Sequence, residues 1–207
     1  MNTDAEVAIL DYGVGNLGSI SNMLRRLSIS ATIVTSANEL ESSRRVILPG
    51  VGAFDHGMQA LSNRGLVESL RFVARRGTPL LGICLGMQLL AVGSAEGILP
   101  GLGLIEGRCV RFQSADKLIR IPHMGWNSIR VVGSPPLFRG FEETPRFYFT
   151  HSYHLEARGI DIIGVTAHGG EFASAIASGN VLGVQFHPEK SHRFGMQLLR
   201  NFSELPC

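Results

Sequence analysis

The chain has 207 residues, of which 44% are hydrophobic and 17% charged, with a formal net charge of +2, and this composition predicts a single domain over 1–207 with a large core. The near-neutral charge without a long basic run excludes nucleic-acid binding through charge, and no apolar run reaches the roughly 20 residues of a membrane helix. Three widely spaced cysteines form neither a disulfide framework nor a zinc pattern, so we expect a cytoplasmic protein without a metal site.

The first hundred residues alternate short apolar strands with helical patterns, which predicts βα units in a parallel sheet. The predicted strands lie at 7–11, 31–35, 46–48 and 79–83, and the predicted helices at 19–28, 65–76 and 87–93. Later strands follow one another without helices, so we expect antiparallel pairing at 104–112, 127–132, 146–150, 162–167, 172–178 and 181–186. An amphipathic helix at 191–203 closes the chain. The pattern predicts an α/β fold with a mostly parallel central sheet flanked by helices and antiparallel strands in the C-terminal half.

The opening block Asp11–Gly18 places a G-x-G-x-x-G pattern between the first strand and the first helix. This pattern is typical of dinucleotide-binding loops. However, Ser36 follows the second strand where an acidic residue would bind the ribose, and Glu39 lies farther on. A catalytically silent dinucleotide-binding regulator is therefore the alternative from the class of binding proteins.

A second glycine-rich turn, Pro49-Gly50-Val51-Gly52, follows the strand at 46–48. It is either a tight βα loop or part of a site, because chemistry in a parallel sheet gathers beyond the carboxyl ends of the strands. We expect this turn to share a crevice with the turn after 79–83. Backbone N–H groups at Val51 and Gly52, together with that of Leu85, would then form an oxyanion hole.

A cysteine lies where an apolar strand gives way to a helix, in the sequence Gly82-Ile83-Cys84-Leu85-Gly86. A cysteine between apolar residues is usually a small buried hydrophobe. Two flanking glycines at a strand-to-helix turn instead favour a nucleophile, because the tight bend exposes the reactive atom. The helix N-terminus also favours a thiolate at Cys84.

A cysteine nucleophile needs a histidine base and an acid to orient it. Of the seven histidines, most are expected at the surface or in loops. His187 differs, because it ends the apolar strand 181–186 and begins His187-Pro188-Glu189. Positions i and i+2 of an extended chain project to the same side, so Glu189 would set the tautomer of His187. The alternative is an ordinary turn at the end of a strand.

These three motifs together resemble the class I glutamine amidotransferases, in which a Cys-His-Glu triad hydrolyses the side-chain amide of glutamine. Further blocks, in the same order along the chain, are similar to the glutaminase subunits of imidazole glycerol phosphate synthase: 11–17, 48–54, 122–127, 151–153 and 185–191. One departure is Thr150, where an aliphatic residue is commoner in that family.

The resemblance implies a three-layer amidotransferase fold that works without a cofactor. It implies that Cys84 is the nucleophile, that His187 is the base and then the acid, and that Glu189 orients His187. It also implies a glutamine pocket formed by Gly52, Gln88, His151, Ser152 and Tyr153.

The resemblance further implies a partner, the cyclase subunit, a (β/α)₈ barrel. In that family the cyclase uses the released ammonia to make imidazole glycerol phosphate and aminoimidazole carboxamide ribonucleotide in histidine biosynthesis, and its bound nucleotide activates the glutaminase. The expected interface residues are Asn16, Met124, Trp126, Tyr148 and Lys190. The alternatives within the enzyme class are the glutaminase subunit of another synthetase and a freestanding cysteine hydrolase, which would turn over alone.

Overall fold

The structure is a computed structural model that describes residues 6–113, 119–157 and 161–207. Within these ranges the strands are β1 (Val7–Leu10), β2 (Ala31–Val34), β3 (Val46–Leu48), β4 (Leu80–Ile83), β5 (Gly93–Ser94), β6 (Gly107–Arg111), β7 (His123–Ser128), β8 (Arg130–Val131), β9 (Arg146–His151), β10 (Tyr153–Ala157), β11 (Asp161–Ala167), β12 (Glu171–Ser178) and β13 (Val181–Val184). The α-helices are α1 (Leu17–Arg26), α2 (Ala37–Glu41), α3 (Phe54–Asn63), α4 (Val67–Arg75), α5 (Leu85–Leu89) and α6 (His192–Ser203). Two 3₁₀ turns span Pro136–Phe138 and Pro188–Lys190.

The central sheet begins with five parallel strands in the order β2-β1-β3-β4-β13. It continues through β12, β10 and β6, which pair antiparallel, and ends with β5 parallel to β6. Strands β11 and β8 extend it beside β12, whereas β7 and β9 form a separate antiparallel pair. The predicted parallel sheet with antiparallel strands in the C-terminal half is confirmed.

The sheet separates two apolar clusters, because side chains alternate between its faces along each strand. On β1, for example, Ala8 and Leu10 belong to one cluster and Val7 and Ile9 to the other. Buried residues of α3, α4 and α5 complete the first cluster, and those of α1 and α6 the second. The result is the expected three-layer arrangement of helices, sheet and helices.

The sequence patterns located most elements but missed two helices and the strands β5 and β10, and they misplaced the ends of others. Helices α2 and α3 were not predicted, and the helix predicted at 87–93 starts at Leu85 and ends at Leu89. The strand predicted at 127–132 is divided between β7 and β8. In α2, Ser36 and Glu39 form a capping box, so Glu39 serves the helix start.

Strands β3, β4 and β13 are neighbours in the sheet and run parallel. Their carboxyl ends therefore lie side by side, and the turn after each strand opens on the same edge. Those three turns carry the glycine loop, the cysteine and the histidine selected from the sequence. Across the described ranges, no helix combines the length and the apolar character needed to cross a membrane.

Candidate active site

Cys84 occupies a strained bend between β4 and α5. Its φ of 54° and ψ of −110° lie outside the regions that side chains ordinarily adopt. Its backbone N–H donates to Val184 O at 2.8 Å, which fixes the bend against β13. A methyl group on Gly82 would stand 2.7 Å from the backbone of Gly86 and Met87. Glycine is needed at position 82 because α5 turns back closely over β4.

His187 and Glu189 form a buried pair beside the bend. His187 Nδ1 lies 2.8 Å from Glu189 Oε1, and their side chains are 1% and 2% exposed. The sequence placed Glu189 on an extended strand, and this part was wrong. Only His187 is extended, and Pro188–Lys190 form a 3₁₀ turn that brings the carboxylate back to the ring. Proline at the first position favours such a turn because its φ is fixed.

The surroundings of His187 favour its protonated form. Burial alone would lower its pKa, but hydrogen bonding to Cys84 and Glu189 and their charges outweigh burial and raise it to about 9. Among the described residues, His187 Nε2 is buried without a hydrogen-bond partner, and Cys84, which lines the same cavity, is the neighbour beyond Glu189 that raises the pKa of the ring. The ring is thus held by Glu189 on one side and directed toward the sulfur on the other.

The glycine loop Pro49–Gly52 faces the same bend from β3. Within the described residues, no backbone acceptor is bonded to the N–H groups of Val51, Gly52 or Leu85. Gly52 has a φ of +107°, a conformation that favours glycine. These three N–H groups are therefore available to a ligand beside Cys84.

A cavity of about 330 Å³ joins these parts. Its wall contains nine of the predicted site residues together with three that the sequence did not place in the site. The predicted residues are Val51, Gly52, Cys84, Leu85, Gln88, His187 and the segment 151–153, and the others are Glu96, Pro122 and Thr150. The volume suits a small amino acid.

Two glutamine side chains, Gln88 and Gln185, are hydrogen-bonded to each other beside Cys84. Gln88 Nε2 donates to Tyr153 O at 3.0 Å and to Gln185 Oε1 at 3.1 Å. Gln185 Nε2 in turn lies 3.9 Å from Cys84 Sγ. Gln185 was missed as a site residue, although it lies two positions before His187 at the end of β13, where the same alternation would direct it to the same side.

Among the described residues, Glu96 is the one acidic side chain in the cavity wall. It follows β5, at the opposite end of the sheet order from β3, β4 and β13, and its Oε2 accepts from Phe54 N at 2.9 Å. Neither the spacing around Glu96 nor any motif indicated this position. Only the folded chain brings it beside Cys84.

His151 belongs to a buried cluster of rings. Most histidines of the chain were expected at the surface or in loops, and the members of this cluster differ from that expectation. Four histidines, His123, His151, His154 and His168, pack with Phe112. Hydrogen bonds run from Asn127 Nδ2 to His123 Nε2, then from His123 Nδ1 to His151 Nε2, and from His151 Nδ1 to Tyr153 O.

Burial favours the neutral forms of His123 and His151. It lowers the pKa of His151 to about 3 and, with the charge of His168 as a lesser cause, that of His123 to about 4. Both ring nitrogens of His151 are already hydrogen-bonded. His151 therefore lines the cavity without offering a free nitrogen to a ligand. Among the described residues, no group of three or more His, Cys, Asp or Glu side chains is placed to hold a metal ion.

An aromatic patch lies on the surface next to His187, formed by Met124, Trp126, Tyr148, Lys190 and His192. Met124 is 63% and Trp126 42% exposed. Trp126 stacks on His192 with ring centroids 5.4 Å apart, and Lys190 Nζ lies 5.6 Å from the centre of the Tyr148 ring.

Asn16, the fifth predicted interface residue, accepts from Ser19 N and caps α1. A larger groove of about 1000 Å³, along β7, β8 and the loop 133–145, contains none of the predicted site residues.

The family model for class-I glutamine amidotransferases matches residues 8–205. The chain belongs to the class-I glutamine amidotransferase family. Within the family it is 48% identical over 203 residues to the imidazole glycerol phosphate synthase subunit HisH of Bdellovibrio bacteriovorus, covering 96% of this chain and 100% of that one. It is 46% identical over 201 residues to the corresponding subunit HisH 2 of Pseudomonas aeruginosa, covering 96% and 99%.

Solved amidotransferase structures share the fold. A crystal structure titled as a glutamine amidotransferase superposes with a TM-score of 0.75 at 22% identity, over 97% of this chain and 98% of the other. The structure of PurLQS from Thermotoga maritima gives a TM-score of 0.74 at 19% identity, over 95% and 96%. The amidotransferase fold expected from the sequence is thereby confirmed, and the chain is an enzyme of the glutamine amidotransferase class.

Proposed function

We propose that this chain hydrolyses L-glutamine to L-glutamate and ammonia and passes the ammonia to the cyclase subunit of imidazole glycerol phosphate synthase. The observation that carries the proposal is the convergence of Cys84 and His187, the latter bonded to Glu189, on one cavity whose lining residues include unbonded backbone N–H groups. A nucleophile, a base with its orienting acid and an oxyanion hole are the parts that amide hydrolysis needs. No cofactor takes part in this mechanism.

Cys84 Sγ attacks the side-chain carbonyl carbon of glutamine, and the N–H groups of Val51, Gly52 and Leu85 stabilise the oxyanion. The imidazolium of His187 gives a proton to the departing nitrogen, which leaves as ammonia, and Cys84 carries a thioester. His187 then takes a proton from water, which attacks the thioester and releases glutamate. Glu189 stabilises the protonated ring throughout.

The cavity wall also suits the rest of the substrate. Gln88 uses both amide protons in bonds to Tyr153 and Gln185, so its Oε1 is the atom that accepts from a ligand. One oxygen of Glu96 is bonded to Phe54 N, and its carboxylate pairs with the α-ammonium group. Ser152 and Tyr153 also line the cavity and bind the α-carboxylate.

The aromatic patch is the proposed contact with the cyclase, because it is exposed and is bonded through the backbone to the triad. His187 N donates to Tyr148 O at 2.9 Å, Tyr148 N donates to Ser191 Oγ at 3.0 Å, and Ser191 Oγ donates to His187 O at 2.6 Å. A protein that covers the patch therefore lies next to the site where ammonia is released. The relatives are named as subunits of that synthase, and the whole chain, 1–207, acts as one amidotransferase domain.

The experiment is glutamate release from glutamine by the purified chain, alone and with the cyclase subunit carrying its nucleotide ligand. We expect a large rise on adding the loaded cyclase, and loss of the activity in Cys84→Ala. A high rate without the cyclase would instead indicate a freestanding hydrolase. No release in any condition, with affinity for a dinucleotide, would favour the regulator. A substantial rate in Cys84→Ala would exclude Cys84 as the nucleophile.

A further inference from the structure

The hydroxyl of Tyr12 holds the base of the oxyanion loop. Its oxygen donates to Pro49 O at 2.7 Å, across 37 residues of sequence. The ring is 1% exposed and packs in the cluster formed with α3, α4 and α5. Burial, and then the charge of Cys84, raise the pKa of Tyr12 well above its usual range, so the hydroxyl keeps its proton and remains a donor.

The same hydroxyl closes the space around Gly50. A methyl group on Gly50 would stand 2.8 Å from the Tyr12 oxygen, 2.8 Å from Leu85 Cβ and 2.9 Å from Gly86 N. Gly50 is therefore held between the tyrosine and the bend that carries the nucleophile. The loop of Gly15 also packs on the ring of Pro49, since a methyl group on Gly15 would stand 3.1 Å from Pro49 Cβ.

Beyond Gly50 the loop changes character. Pro49 and Gly50 are buried, whereas Val51 is 42% exposed and Gly52 is exposed as well. A methyl group on Gly52 would meet no atom within 4 Å. One end of the loop is thus fixed, and the part that carries two of the three oxyanion N–H groups has free space.

We infer that Tyr12 is a positioning residue that fixes the Pro49–Gly50 peptide, so that any reorientation of the oxyanion loop begins only after Gly50. The inference rests on the proposed function of the loop as an oxyanion hole. The opening block of the sequence then has a role in the reaction through this hydroxyl, and not through a dinucleotide. Without the hydroxyl, the whole loop can rotate and the N–H groups of Val51 and Gly52 lose their alignment.

The test is Tyr12→Phe, which keeps the ring in the core and removes only the hydroxyl. In the complex with the loaded cyclase, we expect kcat for glutamine hydrolysis to fall about tenfold and KM to stay within about twofold. Loss of a whole oxyanion donor costs about 10²- to 10³-fold, and a displaced donor costs part of that. The matched control is Ser69→Ala, which removes a buried hydroxyl bonded to Glu41 at 2.6 Å between α4 and α2.

A second readout separates positioning from general loss of structure. A chloroketone analogue of glutamine forms an oxyanion on reaction with Cys84, whereas alkylation by iodoacetamide does not. We expect Tyr12→Phe to slow the first reaction about tenfold and to leave the second unchanged, and Ser69→Ala to change neither. Equal slowing of both reactions, or wild-type kcat in Tyr12→Phe, would overturn the role of Tyr12.

A third measurement applies even if the variant does not fold or the wild-type complex releases no glutamate. The Tyr12 hydroxyl proton of the wild-type chain should exchange slowly enough to be observed by NMR, because it is buried and bonded. Exchange as fast as that of the Tyr148 hydroxyl proton would overturn the inference that the Tyr12 hydroxyl fixes the Pro49–Gly50 peptide. Absence of glutamate release by the wild-type complex, with slow exchange of the Tyr12 hydroxyl proton, would refute the proposed function and leave the Tyr12–Pro49 hydrogen bond in place.

Discussion

Replacing Gly82 by alanine tests the close packing of the bend at Cys84. The added methyl would stand 2.7 Å from Gly86 O and from Met87 N, against an ordinary contact of 3.4 Å or more. Both obstructing atoms are backbone, and α5 would have to move away from β4 by about 0.7 Å. Overpacking a buried site costs roughly 1–3 kcal/mol, and the rigid neighbours place this change near the upper value.

The expected loss of about 3 kcal/mol lowers the midpoint of thermal unfolding by about 6–12 °C in a chain of this length. The shift of α5 also displaces Cys84 and the Leu85 N–H, and a misplacement approaching 1 Å costs up to about 100-fold in rate. Calorimetry and glutamine hydrolysis by the complex measure the two effects.

Gly18→Ala is the matched control, because Gly18 lies in α1 and a methyl group there would meet no atom within 4 Å. Alanine in a helix is favoured over glycine by about 0.5–1 kcal/mol, so this variant should be slightly stabilised and fully active. If Gly82→Ala unfolds at the wild-type temperature and hydrolyses glutamine at the wild-type rate, the geometry of the bend described above is wrong.

Three further predictions concern charge. Burial lowers the pKa of His123 from 6.5 to about 4 and that of His151 from 6.5 to about 3, so the unfolded chain binds more protons than the folded chain below pH 6.5. The free energy of unfolding should therefore fall below pH 6.5, by up to about 1.4 kcal/mol per pH unit for each ring. Urea unfolding at pH 7 and pH 5 measures this fall, and equal free energies of unfolding at the two pH values would contradict it. The pKa of His187 is shifted in the opposite direction, to about 9, so kcat should decline as pH rises through 9. Glu189→Gln should move that decline to lower pH by about one unit or more, and a pH profile identical to that of the wild type would exclude the Glu189 carboxylate as a cause of the raised pKa. Lys190→Glu should weaken binding to the cyclase subunit about tenfold with little effect on folding, and titration calorimetry showing unchanged affinity would remove Lys190 from the interface.

The sequence was sufficient where local rules determine the structure. Glycines at 82 and 86 around a cysteine, between an apolar run and a helical one, indicate the bend at Cys84 because few other residues allow it. Pro188, which follows His187, is a local signal of the opposite kind, because its ring fixes φ and so restricts the backbone. Parallel strands with short turns then place these motifs at one edge of the sheet, which is why their meeting could be predicted before the fold was known.

The remaining parts depend on contacts between distant segments. Glu96 reaches the cavity only because β5 and β6 return to the sheet, and no local pattern encodes that. The histidine cluster unites β7, β9 and β10 with the loop after β11, so four rings that are scattered in the sequence share one apolar space. Helix α2 is five residues long, too short for a periodic pattern to be recognised.

The backbone bonds between Tyr148 and the turn of His187 have a consequence for changing the partner of this enzyme. Strand β9 cannot shift without moving His187, the proposed base, whereas β7 is bonded to β9 and, among the described residues, makes no hydrogen bond to the turn 187–191. Surface side chains of β7, such as Met124 and Trp126, are therefore the positions where a new docking specificity can be built. Substitutions on the outward face of β9 must leave its main chain in place, because the backbone of Tyr148 is hydrogen-bonded to His187 and Ser191.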